Sequence, residues 1–272
     1  MNDLQFLGIY REKRFSPGKI EDDAAILDMT LAALADSGGK VASVYPESLQ
    51  LCTSRPPCVV TMAQSAAALA ALDDWQRQGT RVINSSAAIR NCYRKPLTRL
   101  LAEAGVKTPH SRMLRLDGAA HSFDLPLARP IWLKRGDVHA MQEGDVVLIK
   151  APQDLEPALR HFQRHGIEDA LLQEHIDGEV IKFYGVCGKG YFKAFWAETD
   201  DEATAQVGPL QGLAEAAARA VGIEVYGGDA VLTPARELFL IDLNDWPSFS
   251  RCCSEAAVHI AAYVKAEMAA RR

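Results

Sequence analysis

The hydrophobic pattern of this chain changes period in a regular order. Short apolar runs at Phe6–Tyr10, Val41–Tyr45 and Cys58–Met62 predict strands, while Glu21–Ser37, which stops at Gly38-Gly39, and Ala66–Gln78 have the spacing of helices. Strands alternating with helices predict a small open parallel sheet over residues 1–81, because parallel neighbours need a helical crossover. After Arg81-Val-Ile-Asn84 the order changes. Ser85 or Ser86 caps a helix reaching Arg90, Tyr93–Ala104 form an amphipathic helix stopped by Gly105, and extended runs follow at Pro109–Leu114, Pro130–Lys134 and Asp145–Ile149. A helix over Leu155–His165 precedes strands at Ala170–Glu179, Val180–Val186 and Tyr191–Trp196.

Polar residues interrupt this pattern where a sheet would not favour them. Val231-Leu232-Thr233 and Leu238–Ile241 flank the turn Pro234-Ala235-Arg236-Glu237 and predict an antiparallel hairpin. Pairing Thr233 with Leu238 sets Asp229 opposite Asp242, with Asn244 on the face of Asp242 and with Phe239, Ile241 and Leu243 on the other, core-facing side. Like charges opposed on a ladder destabilise it. A hard cation such as Mg²⁺ removes the conflict, taking a few carboxylate and amide oxygens and completing its shell with water and phosphate. The alternative is a solvated hairpin end with scattered acids.

Alternation in Val180–Val186 puts Lys182 and Tyr184 on one face. A lysine there either meets an anion, which the Asp229/Asp242 cluster and bound phosphates would supply, or snorkels to a sheet edge. Arg11, Lys13, Arg14 and Lys19 surround the Ser16-Pro17-Gly18 turn in the first strand-to-helix connection, as anion contacts or as a solvated basic loop. Between two strands, the polar loop Arg135–Gly144 has the character of a lid.

Composition narrows the classes further. With 272 residues, a net charge of −5 and a pI near 5.8, the chain can build sizeable cores but offers no broad nucleic-acid footprint. It has no run of about 18 apolar residues and no signal-like start, so a soluble, cytoplasmic protein without membrane contact is expected. Six irregularly spaced cysteines predict free thiols.

The ordered set Lys95, Gly105-Val-Lys-Thr-Pro109, Lys134, Gln173-Glu174-His175-Ile176-Asp177-Gly178-Glu179, Lys182, Gly228-Asp229 and Asp242-Leu-Asn244-Asp-Trp-Pro-Ser-Phe249 resembles the ATP-grasp superfamily. Carboxylate-amine ligases of the RimK and glutathione-synthetase type are the nearest comparison, over residues 82 to about 265. The resemblance implies an α/β (α+β) protein whose small parallel domain, 1–81, precedes an ATP-grasp domain, 82–272, with a lid part at about 110–175 and a catalytic sheet at about 176–250. It implies that Lys95 and Lys134 hold the α/β-phosphates of ATP, that Gln173, Glu174, His175 and Ile176 form the adenine hinge, and that Glu179 accepts from the ribose. Lys182 would face the γ-phosphate as a catalytic group, with Arg251, Ser248 and Ser250 towards the acceptor and His139 near phosphate from the lid. Asp229, Asp242 and Asn244 would bind Mg²⁺, with Mn²⁺ as an alternative ion.

Three features depart from the family's pattern. Arg94 stands where an acid often precedes the first lysine, Asp242 where Glu is common, and the lid has few glycines. The implied reaction phosphorylates the carboxylate of a small molecule or peptide, which an amine or similar nucleophile then attacks; homo-oligomers are frequent among such enzymes. Glu179–Val186 is also similar to a stretch of inositol-phosphate kinases, which leaves a hydroxyl kinase and a nucleotide-binding module without turnover as alternatives.

Overall fold

A computed structural model describes residues 5–52, 55–116, 130–138, 142, 144–188 and 190–271. Strands β1 (Phe6–Ile9), β2 (Val41–Val44), β3 (Cys58–Thr61) and β4 (Arg81–Ile83) form a parallel sheet in the order β2-β1-β3-β4. Helices α1 (Ile20–Asp36) and α2 (Ala66–Arg77) cover its faces, because alternation divides the apolar side chains of each strand. Phe6, Cys58 and Val60 pack with Ile26, Leu31 and Leu34 of α1, whereas Leu7, Ile9 and Val59 pack with Leu69, Leu72 and Trp75 of α2.

Ser85 accepts from the Ala88 amide at 3.1 Å and starts α3 (Ser86–Asn91), which is followed by α4 (Arg94–Glu103). Strands β5 (Ser111–Arg115), β6 (Ile131–Arg135), β7 (Val146–Ile149) and β8 (Asp169–Glu174) make an antiparallel sheet, ordered β5-β8-β6-β7. Helix α5 (Pro152–Arg164) closes it through Leu155, Leu159 and Phe162. A third sheet holds β9 (Glu179–Val186), β10 (Tyr191–Trp196), β11 (Val225–Leu232) and β12 (Leu238–Asp245) in the order β10-β9-β11-β12.

Two further helices lie outside the elements expected from the pattern, although both carry the helical period. Leu210, Ala214, Ala217 and Val221 form the buried stripe of α6 (Val207–Val221), and Ala256, Ala257, Ile260, Ala261 and Val264 that of α7 (Cys253–Ala270). Helix α7 lies against α1. One apolar cluster joins Ile26 and Leu34 of α1 with Ile260 of α7, Tyr184, Val225, Trp246 and Phe249. Near residue 81 the chain passes from the parallel sheet to the antiparallel ones, and this cluster packs across the passage. Asn84, fully buried, fixes that joint: its amide donates to Val225 O at 2.7 Å and accepts from the Glu224 and Val225 amides at 2.8 and 2.9 Å.

The hairpin register differs from expectation in a way that matters for the site. Leu238 pairs with Leu232, not Thr233, which would leave Asp229 opposite Ile241; a bulge between Asp229 and Ala230 skips Ile241 and returns Asp229 to Asp242. The bulge also changes which side chains face the core. Leu240 and Leu243 are buried at 1% and 0% exposure, while Phe239 and Ile241, expected inside, are only partly buried.

Candidate active site

The site begins with three strands held unusually close. A Cβ at Gly228 would meet Asp242 O at 2.2 Å, and one at Gly227 would meet Phe183 O and the Pro247 ring at 2.7 Å, so two glycines permit the approach. Asp229 then lies in register with Asp242 on one side and with Lys182 on the other. Lys182 Nζ reaches Asp229 Oδ1 at 3.0 Å, and the Asn244 amide donates to Asp242 Oδ2 at 3.4 Å. Burial pushes the Asp229 carboxyl above the usual carboxylate range; the Lys182 charge works against this and the Asp242 charge adds to it.

Two carboxylates and one amide on a single face suit a hard hexacoordinate cation that keeps water and phosphate ligands. Among the described residues, no group of three or more His, Cys, Asp or Glu side chains gathers as an all-protein metal site. Asp229, Asp242 and Asn244 would hold such a cation only with water and a substrate phosphate completing its shell.

Two cavities meet at these residues, both lined by Asp229 and Asn244. The larger, about 380 Å³, lies between the antiparallel sheets. Gln173, Glu174, His175 and Ile176 form its hinge side, Val180, Val231 and Ile241 its apolar surface, and Arg94 and Lys134 its basic end. The bulge therefore gives Ile241 a place in this wall. Trp132 Nε1 donates to His175 Nδ1 at 3.1 Å, orienting the hinge imidazole, and Gln173 donates to Ser111 Oγ at 3.3 Å.

Lys134 is 8% exposed, and its Nζ donates to Ile241 O at 3.3 Å. Burial draws its ammonium below the ordinary lysine value, opposed by the Asp242 charge. Arg94 is 6% exposed and donates to Arg135 O at 2.8 Å; burial also lowers its guanidinium, again against Asp242. Arg94 and Lys134 are two buried cations in the wall of one cavity, and neither forms an ion pair among the described residues.

Other expected residues lie elsewhere. Lys95, expected on phosphate, is 59% exposed in its side chain and pairs with Asp169 at 3.3 Å on the outside of α4. Arg94 takes the inward position. The signal was present in the helical period, since Arg94, Leu97 and Leu101 share the buried stripe and Lys95 does not. Glu179, expected on ribose, is exposed and absent from the cavity wall, which Gly178 and Val180 form; alternation puts it on the side of Ile181 and Phe183.

Arg251, expected as a catalytic group, lines neither cavity. It donates to Trp196 O and Ala197 O at 3.0 and 3.2 Å, pairs with Asp200 and lies 5.9 Å from the centre of the Phe195 ring. Its guanidinium belongs to the architecture of the hairpin. His139 lies outside the described residues. Within the lid base, Arg135 is held by Asp137 at 2.7 and 2.8 Å and by Asp145 at 2.8 Å.

The second cavity, about 220 Å³, opens on the other side of Asp229 and Asn244 towards the parallel sheet. Lys182, Tyr184 and Ser248 line it from the antiparallel sheet and the loop after β12, and Arg11, Ser16 and Lys19 from the loop after β1. Arg14 does not line it; its guanidinium lies 4.7 Å over the ring of Phe15. Trp246 and Phe249 hold the loop after β12 with φ of 35° and 51°, a conformation non-glycine residues keep only when packing enforces it. Both rings are fully buried, and between them Pro247 and Ser248 reach the cavity.

No family model and no curated protein matches the chain. Solved structures do. A RimK-domain ATP-grasp protein from Sphaerobacter thermophilus superposes with a TM-score of 0.72 at 20% identity, over 95% of this chain and 98% of that one. A D-alanine–D-alanine ligase from Bacillus anthracis, complexed with ATP, gives 0.76 at 12% identity over 98% of each chain. The ATP-grasp ligase PsnB, complexed with precursor peptide PsnA2 and AMPPNP, gives 0.70 at 16% identity, again over 98% of each. Likeness at such identities concerns the course of the backbone, and here it extends through the parallel sheet and both antiparallel sheets: the chain has the ATP-grasp fold.

Proposed function

We propose that this protein is an ATP-dependent carboxylate-amine ligase that uses Mg²⁺ and passes through an acyl phosphate. One observation carries the reading. The nucleotide-sized cavity and the smaller cavity meet at Asp229 and Asn244, with Lys134 on one side of the junction and Lys182 on the other. ATP bound with its base against Val180, Val231 and Ile241 and its phosphates towards Arg94 and Lys134 would present the γ-phosphate at that junction.

An acceptor carboxylate in the smaller cavity would attack the γ-phosphorus through one oxygen, and ADP would leave with the electrons of the broken P–O bond. An amine would then attack the acyl carbon, expelling inorganic phosphate and losing a proton to solvent. Mg²⁺, when bound, neutralises charge on the phosphate oxygens. Lys182 and Lys134 donate charge-assisted hydrogen bonds from opposite sides, and the apolar walls limit access of water to the acyl phosphate.

A hydroxyl kinase acting on a polyphosphorylated sugar is less well supported, because Arg11 in the smaller cavity is already occupied: it pairs with Asp23 at 3.5 Å and donates to Trp246 O at 2.6 Å. ADP release with Mg²⁺-ATP alone, and then with panels of carboxylates plus amines or of alcohols, tests the assignment. Release that requires a carboxylate together with an amine is the expected result. Release that requires only an alcohol would make the protein a kinase, and a nucleotide-dependent rise in melting temperature without release would make it a binding module.

A further inference from the structure

The smaller cavity has a charge pattern that restricts what its acceptor can be; the argument rests on the ligase reading above. Its charged side chains are Arg11, Lys19, Asp23, Lys182 and Asp229. Four of these are already engaged. Asp23, with a side chain only 5% exposed, accepts from Ser16 Oγ at 2.6 Å and pairs with Arg11 at 3.5 Å. Arg11 also donates to Met62 O, Asp245 O and Trp246 O at 3.3, 3.1 and 2.6 Å, which occupies backbone acceptors beside the cavity. Asp229 and Lys182 pair with each other at the metal end.

Lys19 alone remains. It is exposed, lines the cavity on the side contributed by the loop after β1, and forms no ion pair among the described residues. A bound ammonium would find both carboxylates taken, Asp23 by Arg11 and Asp229 by Lys182, and would share the cavity with two lysines. Like charge in a cavity of low dielectric opposes binding.

We propose that the acceptor is a small acid with a second anionic group and no α-ammonium, such as a dicarboxylate, with the reacting carboxylate near Lys182 and the metal pair and the second anion on Lys19. The volume, about 220 Å³, also favours a small molecule. It is below the roughly 300–1,000 Å³ of drug-sized sites. Phe15, Pro17 and Pro247 would contact the carbon skeleton.

Hydroxylamine trapping tests this without knowledge of the natural amine. Its nitrogen attacks the acyl carbon, phosphate leaves and a proton is released, so that any acid accepted at the γ-phosphate becomes a hydroxamate. The full-length protein is assayed with Mg²⁺-ATP, hydroxylamine and three matched sets: C3 to C6 dicarboxylates, their monoamides, and the α-amino acids of the same length. Hydroxamate is expected chiefly from the dicarboxylates. Lys19→Ala should raise their KM roughly two- to fivefold, the effect of losing one exposed ion pair, and leave the monoamides unchanged. Lys19→Glu should reverse the preference between dicarboxylates and amino acids.

Amino acids or monoamides accepted as well as dicarboxylates by the wild type would overturn the inference while leaving the ligase reading in place. Equal rates for wild type and Lys19→Ala across all sets would also overturn it. No hydroxamate from any acid, with a normal Mg²⁺-nucleotide rise in melting temperature, would reject the ligase reading and this inference with it.

Discussion

Two charge-rich regions face each other across the smaller cavity, and their charges have opposite fates. Arg11 and Ser16 of the loop after β1 and Asp23 of α1 satisfy one another, and Glu12, 5% exposed, accepts from the Gln64 and Ser65 amides at 2.9 and 3.0 Å at the start of α2. On β9, β11 and β12, Asp229 faces Asp242 in register, and burial raises its pKa even with Lys182 in contact. What differs is the balance of sign: in the first region opposite charges neutralise one another, whereas in the second two carboxylates are opposed in register beside Lys182.

The largest expected effect comes from breaking the second region. Asp242→Asn should reduce Mg²⁺-dependent turnover roughly 10²–10³-fold, since metal stabilisation is worth several kcal/mol. The metal-free protein should be as stable as wild type or more so, because the substitution removes a like charge. Chemical denaturation without metal, beside steady-state ADP release, measures both; full turnover in the variant would reject the metal site.

Breaking the first region should do the reverse. Arg11→Ala leaves Asp23 buried without its cation, a change that costs about 3–5 kcal/mol. Midpoints of denaturant unfolding should show that loss, while Mg²⁺-nucleotide should still raise the melting temperature of the folded fraction. Loss of nucleotide binding with normal stability would mean that the loop acts directly on the nucleotide.

A third comparison separates neighbouring residues of α4. Arg94→Ala should weaken nucleotide binding by about tenfold or more, since a buried charge-assisted contact is worth about 1.5–3 kcal/mol. Lys95→Ala removes an exposed pair with Asp169, worth about 0–1 kcal/mol, and should leave affinity unchanged. Calorimetric titration with a non-hydrolysable ATP analogue distinguishes them, and equal losses would restore Lys95 as a phosphate ligand.

The smallest effect is in the pH dependence. A carboxyl whose folded pKa lies above 3.8 gives its full stabilisation below pH 3.8 and loses it as pH rises through the folded value. Metal-free wild type should therefore fall behind Asp229→Asn in stability as pH increases from about 4. Mg²⁺-nucleotide should close the gap in the wild type only. Parallel stability curves for the two proteins would show that Asp229 carries no strain.

How far the site could be read in advance varied with the kind of contact. Strand and helix positions in the first 81 residues followed from periodicity, as did Arg94 in principle, because burial along a helix repeats with 3.6 residues. The opposition of Asp229 and Asp242 was expected from a uniform register that the structure does not have. Two departures cancelled: the turn shifted by one residue and the bulge shifted it back. Glu179 and Arg251 were assigned by resemblance, and here the orientation of one strand residue and a local network around Asp200 decided against the cleft.

By itself, the sequence determined that strands and helices alternate in this order, that glycines stand where strands must approach, and that carboxylates and a lysine fall on one sheet face. These are consequences of local stereochemistry and of period-2 and period-3.6 burial. Tertiary structure alone decided which charges remain available. Arg11 is consumed by Asp23 and by carbonyls more than 50 residues away, Arg94 is turned inward while Lys95 meets Asp169, and Ile241 is moved from the core to the cavity wall by the bulge. The reason is physical: the state of a charge depends on its desolvation and on its partners, and both are set by contacts between residues distant in the chain.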